Sequence, residues 1–392
     1  MLFQADHTQS FSFPPMPVEI HFGSGKTKEL GALARRLGAG KVLLVTDPGV
    51  VKAGLAERVF KPLAGADIAC EIFDEVRPDS GSDLIMRGAE IARERGIGVV
   101  IGLGGGSALD SAKAIAAMAA NEGSILDYIG LDKLPRDPLP SICIPTTSGT
   151  GSEVSIWSVL TDDRTGVKVS AGGRRFMASI ALCDPDLTLT LPPAVTAATG
   201  MDALGHAVEC FVNRACQPVS GALALQSIAL IGKSLRKAVH EGSDGAARYD
   251  MMLASVLAGI AMNPTRLGLA HALAMPLGSG DIKIPHGTII AITLPVVMAF
   301  NAEAAPERYA AVARALGEDV AGLPPLEAAR RGVAAVKKLK EDVGIPAGLA
   351  ACGMREDAVD SVVEEAMKSG NVPVNPRETS ASDLAQLLRS AL

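Results

Sequence analysis

Four residues in the second half of the sequence are of types that bind a divalent metal. Asp202 and His206 are four residues apart in TGMDALGHAVE, so they share one face of a predicted helix. His271 lies in LGLAHALAMPLG, and His286 opens another apolar helix. One carboxylate and three imidazoles form a plausible ligand set for Fe²⁺ or Zn²⁺. Taken singly, each has a plainer interpretation, as an exposed helix pair or a hydrogen-bonded core histidine.

The distribution of the six histidines favours the metal interpretation. Three of them lie in segments rich in Gly, Ala and Leu and poor in polar residues. The other three, His7, His21 and His240, have polar or terminal surroundings, and we expect them at the surface.

A glycine-rich loop in the first half is a candidate phosphate cradle. Residues 102–113 read GLGGGSALDSAK, between the apolar run GVVI and a helix-forming stretch. A strand that feeds a glycine turn and a helix start gathers free backbone N–H groups and the positive end of the helix dipole. The residues of this cradle would be Gly104, Gly105, Gly106 and Ser107. The alternative is a tight turn without a ligand, and no Walker motif is present.

A second loop, PTTSGTGSE at 145–153, follows the apolar run SICIP. Two such loops on neighbouring strands form one crevice, which is where open α/β sheets bind ligands. Asp47 ends the run KVLLVT and precedes Pro48. Its carboxylate could bind the ribose hydroxyls of a dinucleotide, or it could cap a helix with Pro48 in the first turn. The spacing alone does not choose between these two roles.

The elements that must position these residues fall into two parts. Apolar runs predict strands at 41–46, 68–73, 99–102 and 141–145, with helices near 50–62, 83–96 and 108–121 between them. This alternation is typical of a parallel sheet of the Rossmann kind. From Pro192 onward, Ala- and Leu-rich helices joined by short loops predict an all-helical domain. We therefore expect two domains, 1–190 and 191–392.

Composition excludes several classes of function. The 392 residues carry a net charge of −6 and only 3% aromatics, so there is no basic surface for nucleic acid or for an anionic membrane. The most apolar stretch, 288–300, is too short to span a bilayer and is expected to be a core helix. The N-terminus lacks the pattern of a signal peptide, and the six cysteines show no CxxC, which suits reduced thiols in the cytoplasm.

Four segments together resemble the iron-containing (group III) alcohol dehydrogenase family, along nearly the whole chain from about Val18. They are GLGGGSALDSAKA, PTTSGTGSEVS, PPAVTAATGMDALGHAVE and LGLAHALAMPLG with the later PHG. The resemblance implies a dinucleotide-binding α/β domain, a helical domain, and an active site in the cleft between them. It also implies a metal-dependent exchange of hydride between NAD and a small alcohol, aldehyde or ketone.

The resemblance assigns roles to individual positions. Metal ligation falls to Asp202, His206, His271 and His286. Contacts with NAD fall to Asp47, Gly104, Gly105, Gly106, Ser107, Asp110, Thr146, Thr147, Thr150, Lys168 and Leu187. It favours the ribose role for Asp47 and hence NAD over NADP. Asp110 and Lys113 could instead be charges on a helix surface.

The chain departs from the family pattern at two positions. Many members carry a second histidine four residues after the third ligand, where this chain has Met275, which cannot relay a proton. Trp157 stands where the lactaldehyde-reductase-like members carry a smaller polar residue. These two residues, with Met262 and Arg266, are the candidate substrate pocket, and Arg266 is a candidate for binding an anionic substrate group. Ordinary packing and surface roles are the alternatives.

Three other functions remain open at this stage. One is a maleylacetate-reductase-like enzyme, which reduces an anionic ketone or enone without metal. The second is a dehydroquinate-synthase-like lyase, and the third is a binding protein that has lost catalysis. The resemblance also implies a homodimer or higher homo-oligomer.

Overall fold

The computed structural model describes residues 10–14, 16–279 and 282–392. His7 lies outside this described part. The chain divides into two compact units. One is Pro15–Leu191, and the other is Pro192–Leu392 with the described residues of Met1–Pro14. We call them the sheet unit and the helical unit.

The sheet unit is built on parallel strands. Its strands are β1 (Glu19–Phe22), β2 (Lys41–Val45), β3 (Ala69–Phe73), β4 (Val99–Gly104), β5 (Gly130–Leu131), β6 (Ser141–Pro145), β7 (Trp157–Asp162), β8 (Val167–Gly172) and β9 (Ile180–Cys183). Among the described residues, six strands form a sheet of order β1-β9-β6-β4-β2-β3, and every neighbouring pair is parallel. The predicted α/β class is confirmed.

The sheet is covered on both faces, which explains its continuous apolar strands. All residues of β4, β6 and β9 are buried. In β2, Val42 and Leu44 belong to one apolar cluster, while Leu43 and Val45 belong to another. The predicted strands correspond to β2, β3, β4 and β6. The sequence did not predict β1, β9 or the smaller sheet of order β5-β8-β7.

Five α-helices connect the strands of the described sheet unit. They are α1 (Leu30–Arg36), α2 (Pro48–Lys52), α3 (Ala56–Ala64), α4 (Ser82–Glu94) and α5 (Gly106–Ala120). The prediction of a single helix near 50–62 is wrong. The segment forms two helices, α2 and α3, because Gly54 follows α2 with a φ of +74° and ends it. Helix α5 begins two residues earlier than expected, inside the glycine loop.

The strand order creates a switch point between β2 and β4. From β2 the chain continues to β3 on one side, and from β4 it continues to β6 on the other. The hydroxyl of Thr46 donates to the carbonyl of Leu103 at 2.8 Å and joins the ends of these strands. Ligands of open α/β sheets bind at such a point, so the fold puts the glycine loop in the expected place.

The helical unit contains the remaining α-helices of the described chain. They are α6 (Pro193–Val212), α7 (Pro218–His240), α8 (Gly245–Thr265), α9 (Leu269–Leu277), α10 (His286–Asn301), α11 (Pro306–Ala315), α12 (Pro325–Asp342), α13 (Val359–Met367) and α14 (Ala381–Ser390). Helix α6 packs against α7, α8 and α10. Apolar residues of α6 and α7, among them Leu204, Ile228 and Leu235, are fully buried in one core cluster.

Helix α10 is the core helix expected from the apolar stretch 288–300. Helix α7 is the one described helix that is long and apolar enough to cross a membrane, with a mean hydropathy of 1.2. Half of that apolar window is buried inside the protein, and the buried face packs on α6 and α8. Its composition is therefore that of a core helix.

Candidate metal centre and cofactor site

Three of the four predicted ligands converge within the helical unit. Asp202, His271 and His286 each offer one ligand atom, and these three atoms lie within 4.8 Å of one another. The Oδ1 atom of Asp202 is 3.6 Å from Nε2 of His271 and 3.6 Å from Nε2 of His286. These separations are too long for good hydrogen bonds, and they leave room for an ion between the atoms.

The fourth predicted ligand, His206, lies beside this group. Its Nε2 atom is 4.0 Å from Oδ1 of Asp202, one helical turn away on α6. Its ring stacks on that of His271, with ring centres 4.5 Å apart. The structure thus brings all four side chains together, with three of them forming the tight group.

Burial and missing partners show that the group fits a metal ion. The Oδ1 atom of Asp202 and Nε2 of His271 are both buried without a hydrogen-bond partner. A buried polar atom without a partner costs about 1–3 kcal/mol, so two such atoms aimed at one point indicate a bound group. The side chain of His286 is 34% exposed, against 3% for Asp202 and 4% for His271. The site is therefore open on the side of His286, as a catalytic metal site must be.

The electrostatics of the group favour a cation. Burial disfavours the charged form of His271, but the carboxylates of Glu209 and Asp202 outweigh burial and raise its pKa to about 9. Burial also opposes ionisation of Asp202, yet the surrounding histidines hold the pKa of its carboxyl well below the usual range. A divalent metal would meet an ionised oxygen ligand and imidazole nitrogens, which suits Fe²⁺ and Zn²⁺ alike.

Glycines allow the helices that carry the ligands to approach closely. A Cβ on Gly205 of α6 would overlap the side chain of Ile290 on α10 and reach the ring of His271 at 3.5 Å. A Cβ on Gly287, next to His286, would overlap the carbonyl of Ala198. The backbones of α6 and α10 therefore pack at a distance that larger residues would prevent.

Sequence reasoning missed one residue of this site, Glu209. Its buried carboxylate accepts a hydrogen bond from Nδ1 of His271 at 2.6 Å. The signal was present, because Asp202, His206 and Glu209 have the i, i+4, i+7 spacing of one helix face.

The glycine loop of the sheet unit has the form of a phosphate cradle. Gly105 precedes the first turn of α5, and no side chain caps that helix end. Gly104 has a φ of +151°, and a Cβ there would lie 2.7 Å from Ala108. A Cβ on Gly106 would lie 2.7 Å from Thr150. The loop thus admits only glycine at positions 104 and 106, and the absence of side chains there suits a phosphate cradle.

Asp47 caps a helix with one carboxylate oxygen and turns the other toward the glycine loop. Its Oδ1 atom accepts from the N–H groups of Gly49 and Val50, at 2.8 and 3.0 Å, so Asp47 is the N-cap of α2. The other oxygen, Oδ2, faces Gly104, where an added Cβ would lie 3.3 Å away. The cap uses one oxygen and leaves the other beside the cradle.

The alternative of surface charges for Asp110 and Lys113 is wrong. The side chain of Lys113 is 1% exposed and donates to the carbonyls of Ser152 and Trp157 at 2.9 and 2.5 Å. Asp110 pairs with Lys113 at 3.1 Å and accepts from the N–H of Val159 at 3.0 Å. The pair fastens α5 to the loop after β6 and to β7, so in this structure Asp110 acts on the position of that loop.

The remaining predicted cofactor residues surround the same strand ends. The N–H of Thr146 donates to the carbonyl of Gly104 at 2.9 Å, and Thr147 lies beside Gly105. Lys168 on β8 forms a 2.7 Å ion pair with Asp79, whose backbone N–H donates to Oγ of Ser107. Leu187 is buried in the apolar cluster beneath the sheet.

The four candidate substrate-pocket residues have the following positions. The ring of Trp157 covers Gly172 on β8, and its carbonyl accepts from Lys113. In the helical unit, Met262 is buried in the core, and Met275 is half-buried one turn after His271. Arg266 is exposed, has a φ of +60°, and places its guanidinium against Gly370. These positions agree with the packing and surface alternatives, and the pocket roles stay predictions.

Comparison with known proteins gives matches along nearly the whole chain. Residues 17–185 match the family model described as iron-containing alcohol dehydrogenase. Residues 196–392 match the model described as the C-terminal part of the Fe-containing alcohol dehydrogenase family. Among curated proteins, the chain is 37% identical to NAD-dependent methanol dehydrogenase of Bacillus methanolicus, over 98% of this chain and 100% of that protein. It is 39% identical to 1,3-propanediol dehydrogenase of Klebsiella pneumoniae, over 94% of this chain and 96% of that one.

The solved structures agree with the sequence matches. A crystal structure of a 1,3-propanediol oxidoreductase superposes with a TM-score of 0.95 at 38% identity, covering 98% of this chain and all of that chain. A structure of an alcohol dehydrogenase from Oenococcus oeni superposes with a TM-score of 0.94 at 34% identity, with 98% and 100% covered.

Proposed function

The chain belongs to the iron-containing alcohol dehydrogenase family, and from that premise we propose that it exchanges hydride between NAD and a small alcohol or its carbonyl form. Family membership makes it an oxidoreductase that acts on CH–OH groups. The main support for a metal-dependent reaction is the convergence of Asp202, His271 and His286, two of which have buried ligand atoms without hydrogen-bond partners.

The two units would supply different parts of the reaction. When bound by Asp202, His206, His271 and His286, a divalent metal supplies a Lewis acid for the substrate oxygen. NAD supplies the hydride acceptor, and the protein supplies binding and orientation. The open side of the site at His286 would admit the alcohol, while the buried side fixes the imidazoles that hold the ion.

The cofactor would bind at the switch point of the sheet unit. Gly104, Gly105 and Gly106 would hold the pyrophosphate through backbone N–H groups at the start of α5. The Oδ2 atom of Asp47 would accept from the adenosine ribose hydroxyls, and its charge would repel the extra phosphate of NADP. Thr146, Thr147 and Thr150 line the neighbouring loop, which Asp110 and Lys113 hold in place.

We propose that Met275 changes the route by which the substrate proton leaves. It follows His271 by one turn of α9, and a thioether neither donates nor accepts a proton. We propose that the proton leaves through water or the ribose hydroxyls. Arg266 and Trp157 remain candidates for selecting the substrate.

The relatives support a small alcohol as substrate, because two of them are named for methanol and 1,3-propanediol. The donor set of one carboxylate and three imidazoles supports Fe²⁺ or Zn²⁺. We propose a cytoplasmic location, which the six free cysteines support.

Replacing one ligand and one unrelated histidine tests this function. His271→Ala should abolish NADH formation from a panel of short alcohols, because it removes a buried ligand. His240→Ala is the matched control, since His240 lies at the surface and contacts the carbonyl of Asp342. NADH formation that survives His271→Ala in metal-free buffer would overturn the proposal and favour the metal-independent, maleylacetate-reductase-like alternative.

A further inference from the structure

Glu209 is a buried carboxylate that the reaction scheme above does not use. It lies on α6, three residues after His206, and is 2% exposed. A buried carboxylate is stable only when hydrogen bonds satisfy its oxygens, so its partners show what it does.

Three N–H groups from one segment donate to Glu209. The backbone N–H of Gly268 donates to Oε2 at 2.8 Å, and that of Ala270 donates to Oε1 at 2.7 Å. The ring nitrogen Nδ1 of His271 donates to Oε2 at 2.6 Å. Gly268 is the N-cap of α9 and has no side chain, so Glu209 caps this helix from α6.

The chemistry of the three contacts fixes the tautomer of His271. Both oxygens of Glu209 accept from backbone N–H groups, so Nδ1 of His271 must carry the proton that it shares with Oε2. With the Nδ1 proton held by Glu209, Nε2 is the nitrogen that can give its lone pair to a metal, and it faces the point where Asp202 and His286 converge. Gly268 and Ala270 lie at the start of α9, the helix that carries His271. Their hydrogen bonds to Glu209 therefore fix the carboxylate relative to the ring of His271.

The local sequence is shaped around this contact. A Cβ at position 268 would lie 2.8 Å from Oε1 of Glu209, so glycine is required there. Two residues before Gly268, Arg266 has a φ of +60°, a conformation that L-residues adopt at a cost. Asn213, one turn after Glu209, donates to the carbonyls of Thr265 and Arg266 at 3.1 and 3.2 Å. The last turn of α6 and the residue that follows it therefore hold the segment that leads to His271.

We propose that Glu209 is a positioning residue of the metal centre, which orients His271 and keeps its Nε2 free to bind the ion. This inference rests on the proposed function, because it needs a metal at Asp202, His271 and His286. Carboxylate partners of this kind commonly change metal affinity by about 10- to 100-fold when they are replaced.

The test measures zinc affinity in three proteins: the natural chain, Glu209→Gln and Asn213→Ser. Glu209→Gln replaces one carboxylate oxygen with an NH₂ group, which is a donor. That group must face either Nδ1–H of His271 or a backbone N–H, and these are donors as well. We expect the Kd for Zn²⁺, measured by chelator competition, to rise about 10- to 100-fold. Asn213→Ser loosens the same segment without touching His271, so it should lower thermal stability and leave that Kd unchanged.

A second readout separates orientation of the ring from general loosening. The visible spectrum of the Co²⁺-loaded protein reports ligand geometry, and it should change in Glu209→Gln but not in Asn213→Ser. Should Glu209→Gln fail to fold, Glu209→Asp keeps the charge with a shorter reach and should weaken zinc binding in the same direction.

The outcomes are distinct. Zinc affinity that is unchanged in both Glu209 variants, or that falls equally in Asn213→Ser, would overturn the positioning role. A natural chain that does not bind one zinc ion would instead overturn the metal site on which the proposed function depends.

Discussion

The observed capping role of Asp47 and its proposed ribose role can be tested separately, because each uses a different carboxylate oxygen. Asp47→Asn keeps a side-chain oxygen for the cap of α2 and removes the negative charge beside Gly104. We expect this variant to keep its stability and to gain a several-fold higher kcat/KM ratio for NADP⁺ over NAD⁺. Steady-state kinetics with both cofactors measure that ratio.

Asp47→Ala is the matched comparison for this prediction. It removes the cap as well as the charge, so it should also lose about 1 kcal/mol of stability. An unchanged cofactor preference in both variants would leave Asp47 with the capping role alone.

We expect Glu153 to make the stability of the protein depend on pH. The side chain is buried in the loop after β6, and burial raises its pKa to about 7. Between pH 4.5 and 7 the folded state therefore holds a proton that the unfolded state releases, so stability falls as pH rises through this window. The full penalty above pH 7 is on the order of 3 kcal/mol.

Glu153→Gln removes this titration. The melting temperature of the variant relative to the natural chain should increase from pH 4.5 to 7 and then level off. Subtracting the melting-temperature profile of the natural chain from that of the variant removes the contribution of the other carboxyl groups. A difference that stays constant with pH would show that Glu153 ionises alike in both states.

Much of the candidate site could be predicted from residue types and spacing, and the residues that could not be predicted have a physical reason in common. The four candidate ligands could be named because a helix spacing and an apolar setting are visible in sequence. Glu209 was missed, and Lys113 was not told apart from a surface charge, because charged residues are expected at surfaces and only tertiary contacts show that these two are buried and paired.

At the scale of elements, the close approach of α6 and α10 sets the ligand geometry. Gly205→Ala would place a methyl group against Ile290 and beside His271. We expect a loss of about 1–3 kcal/mol of stability and weaker zinc binding, because the two helices must separate. Chemical denaturation and chelator competition measure the two effects.

Gly245→Ala provides the control for that substitution. Gly245 is the first residue of α8, and an added Cβ would meet nothing within 4 Å. Stability and zinc affinity should be kept or slightly improved. Equal behaviour of the two alanine variants would contradict the close-packing account.

Elements were predictable where their pattern was strong. Strands β4 and β6 are fully buried apolar runs, and helix α10 is a continuous apolar stretch. Strand β1 lies at the sheet edge and carries Glu19 and His21, so it has no apolar run to detect. Strands β7 and β8 mix polar and apolar residues, because they form a small antiparallel pair outside the main sheet.

At the scale of the whole molecule, the two units bind different ligands in our account. Resemblance to the family implies a homodimer or higher oligomer, and light scattering of the purified protein would check that prediction. An active site in the cleft between the domains likewise stays a prediction. The family followed from four segments taken together, since no one of them is specific alone. The fold class followed from the alternation of apolar runs and helix patterns in the first half.

The central claim is that a metal held by the helical unit drives hydride exchange with NAD. The most direct test is to strip the protein with a chelator and to titrate Fe²⁺ or Zn²⁺ back while recording NADH formation from a short alcohol. The account predicts no activity in the stripped protein and a rise that ends at one ion per chain. Full activity in protein shown to be free of metal would contradict it.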